Sequence, residues 1–245
     1  MLQILRFNWP WYASAGAIPI LLFFAVRLTS ISPLLLWIGF SAAGCALFWA
    51  VTSLWVSHWV YDLSPLQEWN WISTVIPNRP AKVVNIHAGF DPMNDALAGM
   101  FPSADLAAWD MYRPQVMTER SIERARRLDT SAPRPMSVDF HALPVPDKCV
   151  DAILAIFAAH EIRSAGERTR FFLEICRILK PGGVILLVEH LRDWKNFLAY
   201  GPGFLHFLPR REWLRLANRA GLCITRDFTI TPFVGVFALT KPKGL

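Results

Sequence analysis

Between residues 7 and 26 the chain carries no charged side chain, and after Arg27 a second uncharged run extends from residue 28 past Trp55. A helix needs about 20 residues to cross the roughly 30 Å apolar core of a bilayer, so both runs are long enough to span. The spans expected are residues 9–26 and 33–56, joined by a connection over 27–32. A link that short forces an antiparallel hairpin with both flanks on one side. Small residues on the first run (Ala13, Ala15, Gly16, Ala17) and on the second (Gly39, Ala42, Ala43, Gly44) would let the two backbones approach. Trp9, Trp11, Trp55, Trp59 and Tyr61 would meet the interface at the shared end. Pro65 is placed to break the helix, and residues 66–76, with Trp69 and Trp71, would lie along the headgroup plane.

A cleaved signal peptide has small residues after its apolar core, whereas here residues 13–17 precede the bulky run 18–24. Buried core helices are disfavoured because the rest of the chain already supplies a full α/β domain. Arg6 and Arg27 flank opposite ends of the first span, so charge barely sets orientation. The large C-terminal part has no export features, which places it in the cytoplasm.

Of the 245 residues, 53% are hydrophobic and 18% charged, against about 45–50% and about 25% in an ordinary soluble domain. The excess lies in the first sixty or so residues. Cys45, Cys149, Cys176 and Cys223 have no CxxC or metal-ligand spacing, which fits a reducing compartment. Beside two apolar spans, the net charge of +6 points to lipid headgroups. Nucleic acid is not an expected partner. Arg120, Arg124, Arg126 and Arg127, like Arg210, Arg211, Arg215 and Arg219, read as solvated faces without a recognition helix or aromatic–basic interleaving.

From residue 82 onward strand and helix patterns alternate. Strands are expected over 82–87, 105–110, 136–140, 150–157, 184–189, 223–230 and 233–240, and helices over 92–100, 116–128, 167–179 and 211–220. This predicts an α/β fold, a doubly wound and mostly parallel seven-stranded sheet finished by an antiparallel pair, preceded by two transmembrane helices. Ligands of such sheets bind beyond the carboxyl ends of the strands. That rule selects residues 87–91, 110–111, 139–141, 157–161 and 189–192.

The tract VDFHALPVPDKCVDAILAIFAAHEI, followed by a helix and then LKPGGVILLVEH, resembles the class I S-adenosylmethionine-dependent methyltransferases over about residues 82–242. The resemblance divides the chain into a hairpin (1–62), an interfacial linker (63–80) and a methyltransferase-like domain (81–245). It implies S-adenosylmethionine as cofactor. Asp110 would then accept from the ribose hydroxyls, with Met111 beside it. Asp139 would meet the adenine amino group, Phe140 would pack beside the ring, and Phe157 would border the methionine part. Read from the residues alone, the competing readings are a solvated loop acid for Asp110 and a helix or turn cap for Asp139. The glycine-rich loop departs from the family: VVNIHAGFD has Asn85 where an acid is usual and His87 where the first glycine stands, and it retains only Gly89.

His160 and His190 would flank one cleft with Glu189 beside them, and either imidazole suits a base near neutral pH. A hydrogen-bonded structural histidine is the competing reading for each. No histidine stands at HExxH spacing, and pairing histidines would need distant loops to meet, so no metal site is expected. The aromatic stretch 194–208 resembles an acceptor lid, or else packs on the interfacial tryptophans or a partner. Two functions fit. One is a membrane-anchored methyltransferase acting on a lipophilic acceptor; the other is a non-catalytic methyltransferase-like subunit of a membrane protein complex.

Overall fold

In the computed structural model of the chain, residues 2–28, 31–76, 79–89, 93–128 and 135–244 are described. Thr29 and Ser30 of the expected connection, and Phe90 and Asp91 of the altered loop, lie outside them. Two long helices come first, α1 (Leu2–Leu28) and α2 (Pro33–His58). Each is long and apolar enough to cross a membrane. Ser32 caps α2 and Pro33 opens it, a position where the missing N–H costs nothing. Of the small residues expected at their contact, Ala15 and Ala43 are buried and Gly39 admits Leu22, while a Cβ on Gly16 or Gly44 would meet no described atom within 4 Å. Large apolar side chains such as Leu21, Phe24, Leu34 and Trp37 remain exposed, a surface suited to lipid or a partner rather than water.

The segment after α2 corrects one expectation. It makes a wide turn over Trp59–Leu63 and two tight turns over Pro65–Glu68 and Asn70–Thr74. Ser64 caps Leu66, so Pro65 starts a new turn as well as ending the old one. Leu66, Trp69, Ile72 and Ile76 are buried in the α/β core instead of lying out on a headgroup plane. They cover a sheet face that otherwise carries only a short helix, over residues 94–100.

The sheet contains β1 (Lys82–His87), β2 (Asp105–Asp110), β3 (Met136–Ser137), β4 (Val150–Ile156), β5 (Leu179–His190), β6 (Cys223–Thr231) and β7 (Val234–Thr240) in the order β3-β2-β1-β4-β5-β7-β6. The pairs among β1 to β5 are parallel, and β7 runs antiparallel to both neighbours. Central β4 is buried on both sides. Ile153 and Ala155 face one core, and Ala152 and Leu154 face the other.

The first core is closed by α5 (Ala165–Ile178) and α7 (Arg210–Arg219), through Phe171, Phe172, Trp213 and Leu216. The second is closed by the turns after α2 and by α3 (Asn94–Met100). Ser164 caps α5 with Glu167 three residues on, a capping-box spacing. The LKPGG tract, which falls between the expected helix 167–179 and the expected strand 184–189, is the start of β5. There Gly182 has φ of 81°, and a Cβ on Gly183 would sit 2.9 Å from the Lys180 carbonyl. Strand β3 is shorter than expected because Asp139 accepts from the His141 N–H and turns the chain. Helix α4 (Arg120–Leu128) starts late because Val116 and Met117 form a turn on the Arg113 carbonyl. Helix α6 (Trp194–Tyr200) and a tight turn over Gly201–His206 form the segment between β5 and α7.

Candidate functional site

A cavity of about 1070 Å³ lies beyond the carboxyl ends of β1, β4 and β5, where the sheet topology places a ligand. Single small-molecule sites occupy roughly 300–1,000 Å³, so this one has room for a cofactor and part of an acceptor. Asn85, His87 and Gly89 line it from β1, and Phe157, His160 and His190 from β4 and β5. The membrane-type helices supply a further side of the wall through Phe7 and Tyr12 of α1, Ser57 of α2 and Tyr61 just after it, and Ile122 of α4 and His206 of the turn after α6 also line it. Asp110, Met111, Asp139, Phe140 and Glu189 are not on this wall.

At the tip of β4, Phe157 has a left-handed backbone with φ of 49°. A bulky residue holds that conformation at a cost of about 1–3 kcal/mol, and such outliers cluster at functional sites. The Phe157 ring stacks on His190 with centroids 5.0 Å apart. His190 Nδ1 faces the Phe233 carbonyl at 2.9 Å, and a carbonyl only accepts, so Nδ1 carries the hydrogen. Nε2 therefore accepts from the Tyr61 hydroxyl at 2.8 Å. Burial drives the His190 pKa down to about 4, which keeps this ring neutral at physiological pH.

His160 sits differently. Its Nδ1 bonds Glu189 Oε2 at 2.6 Å, and its Nε2 lies 3.0 Å from Glu161 Oε1. Burial opposes a charge there, but the two carboxylates outweigh it and raise the pKa to about 10. Glu161 moves the opposite way, to about 2, because His160 and His206 overcome its burial. So the two expected bases are brought into one cleft, yet neither titrates near neutrality. The two histidines are tuned apart by their neighbours.

His206, from the turn after α6, joins the group with Nε2 3.5 Å from Glu161 Oε1. Distant loops do meet here, which corrects the premise on which a histidine cluster was discounted.

At the other end of the cleft the acids are tied to the protein. Asp110 accepts from the Tyr112 N–H at 3.0 Å and pairs with Arg126 of α4 at 2.6 Å. Asp139 pairs with Arg113 at 2.5 Å. Phe140 and Met111 are fully buried in the first core, so the expected packing of Phe140 on a ligand ring is not what the structure places there. A Cβ on Gly89 would lie 3.3 Å from Ile122 of α4. The retained glycine is thus explained by helix packing.

Sequence reasoning missed three participants. Tyr61 read as an interfacial aromatic, Arg126 as a solvated arginine and His206 as part of an apolar lid. Only His206 carried a signal, being a polar residue within an aromatic stretch.

Residues 101–187 match a family described as a methyltransferase domain. The chain is 34% identical over 76 residues to the ubiquinone/menaquinone biosynthesis C-methyltransferase UbiE of Chromobacterium violaceum, covering 31% of this chain and 30% of that protein. It is 27% identical over 142 residues to the malonyl-[acyl-carrier protein] O-methyltransferase of Halorhodospira halophila, covering 58% and 42%. The chain thus spans less than half the length of these curated relatives. A crystal structure of a SAM-dependent methyltransferase from Aquifex aeolicus superposes with a TM-score of 0.55 at 17% identity, over 75% of this chain and 92% of that one.

Proposed function

We propose that this chain, whose α/β domain is a class I S-adenosylmethionine-dependent methyltransferase domain, is held in a membrane by α1 and α2 and methylates a lipophilic acceptor from the cytoplasmic face. The observation that carries this reading is the shared wall of the cavity: apolar helices α1 and α2 close one side of it and the strand tips the other. An acceptor partitioned in lipid has a short path to such a space. Trp49 of α2 meets Phe197 of α6 edge to face with centroids 5.5 Å apart. At 1.5 Å per residue, Trp49 lies about 13 Å along the helix from His58. Trp194, Leu198 and Leu205 are exposed around the same segment, which favours a lid that dips into the bilayer.

S-adenosylmethionine supplies an activated methyl group on a sulfonium for in-line displacement. Asp110 and Asp139 would hold its ribose and adenine after exchanging their arginine partners, and Phe157 would border the methionine end. The cavity is large enough, and Asn85 and His87 give its β1 wall polar groups. Positioning by these walls provides much of the acceleration. Where the acceptor carries an oxygen, the Tyr61 hydroxyl beside His190 would hold it in place; burial pushes the Tyr61 hydroxyl well above its ordinary range and the His190 ring down, so this pair acts by positioning and not as a base. Glu189 fixes the His160 ring and acts by positioning. The Arg126–Asp110 pair favours the second reading, a non-catalytic subunit, because it occupies the expected ribose carboxylate.

Calorimetric titration of the detergent-solubilised full chain separates the two. Binding of S-adenosylmethionine or its demethylated product, abolished by Asp110→Ala, is the expected result. Silence toward both ligands from a folded protein would leave the subunit. Mass spectrometry of host membrane lipids, with and without the chain, then identifies the acceptor.

A further inference from the structure

We propose that His160, Glu161 and His206 form a binding site for one divalent transition-metal ion of the zinc or iron class. Their ligand atoms all lie within 4.8 Å of one another. His160 Nε2 and His206 Nε2 both face Glu161 Oε1, at 3.0 and 3.5 Å. Two donors bound to one ion at about 2.1 Å, at a tetrahedral angle, stand about 3.4 Å apart, so the spacing already suits a shared ion. Two imidazoles and one carboxylate are the donors that zinc and non-haem iron sites use with positions left open.

The outer contacts repeat the pattern that orients metal-binding histidines. His160 Nδ1 is held by Glu189 at 2.6 Å, and His206 Nδ1 lies 3.2 Å from Glu119. For His160 the carboxylate on the far nitrogen fixes the tautomer and aims Nε2 at the ion; His206 Nδ1 has both Glu119 and the Arg163 guanidinium at 3.2 Å, and Glu119 plays the matching part once an ion takes Nε2. Glu161 supplies an independent sign of a ligand. It is only 6% exposed, and its Oε2 is buried with no hydrogen-bond partner among the described residues. An orphaned carboxylate oxygen is expensive unless something cationic meets it.

An ion would displace the proton that His160 otherwise carries, and would then face Glu119, Glu161 and Glu189 with the guanidinium of Arg163 3.2 Å from His206 Nδ1.

All three ligand residues line the cavity, so an open coordination position would face it and take an oxygen of a bound molecule, such as a hydroxyl or enolate. That last step alone rests on the methyltransferase reading. Metal binding does not, and it is measured with no S-adenosylmethionine present.

The test is calorimetric titration of metal-stripped, tag-free full chain in detergent with Zn²⁺ alone, with metal analysis after dialysis. One ion per chain is expected. Glu161→Gln and His206→Ala should each weaken binding at least about a hundredfold, and Glu119→Gln roughly ten- to a hundredfold. Glu161→Gln is isosteric and His206 is partly exposed, and circular dichroism checks that each variant folds. No stoichiometric binding, or binding that the three substitutions leave unchanged, would overturn the site. Failure of the cofactor titration would leave this result standing.

Discussion

At the β1–β2 end of the cleft the charged groups are tied to one another along the rim, whereas at the β4–β5 end they converge on the cavity. Asp110 is closed off by Arg126 and Asp139 by Arg113. His160, Glu161, His190 and His206 instead share the cavity with Phe157 and Tyr61. The glycine-poor loop belongs to the first end and the VDFHALPVPDKCVDAILAIFAAHEI tract to the second. The difference teaches that departure from a family pattern can be local. Packing of α4 over Gly89 replaces the open approach that glycines allow, while the strand tips opposite keep a dense polar group.

The sharpest way to break this contrast is at Tyr61. Tyr61→Phe should lower the rate of methyl transfer roughly a hundredfold while leaving cofactor affinity unchanged, because it removes only the hydroxyl beside His190 that would hold the acceptor. An unchanged rate would mean that this hydroxyl does not position the acceptor.

Next comes the lid. Gly201 has φ of 55°, and a Cβ there would lie 2.6 Å from the Trp49 ring. Gly201→Ala should therefore destabilise the lid against α2 by roughly 1–3 kcal/mol, read as a lower melting temperature. A silent substitution would mean that the lid does not dock on the hairpin.

A pH series separates the two histidine environments. His190 has a folded pKa near 4, below its ordinary value near 6.5. The unfolded chain therefore binds the extra proton first, and stability falls as pH drops from about 6.5 to about 4, by up to about tenfold in the folding constant per pH unit. His190→Gln should flatten that window. His160 works with the opposite sign: its raised pKa stabilises the fold below about 6.5, and that contribution fades as pH rises toward about 10.

The smallest effect is expected at the rim. Arg126→Ala frees Asp110 Oδ2 and should tighten S-adenosylmethionine binding a few-fold in calorimetry. Weaker binding would instead make Arg126 part of the cofactor's own contacts.

Much of the fold was legible in the residues. The uncharged runs gave the two long helices, and the buried strands β1 and β4 stood out as β-branched or almost wholly apolar stretches. Element ends were less legible, because side-chain turns such as Asp139 to His141 decide where a ladder stops. Residues 66–76 were misplaced for a different reason: an apolar segment beside a membrane helix and one covering a sheet have the same composition. In the site, His160, Glu189 and His190 were found through their position at strand tips. Met111 and Phe140 were not cavity residues, since a strand-end residue also has the choice of facing inward.

By itself the sequence determined the length of apolar helix available, the alternation that builds a parallel sheet, and the strand tips where a ligand belongs. These follow from local periodicity and hydrophobic content. Tertiary structure alone decided which polar groups meet: Tyr61 reaches His190 across 129 positions of chain, and His206 reaches Glu161 from a separate loop. The reason is physical. A side chain's proton affinity and partners depend on burial and on charges a few ångströms away, and those neighbours are brought together only when the sheet and hairpin pack.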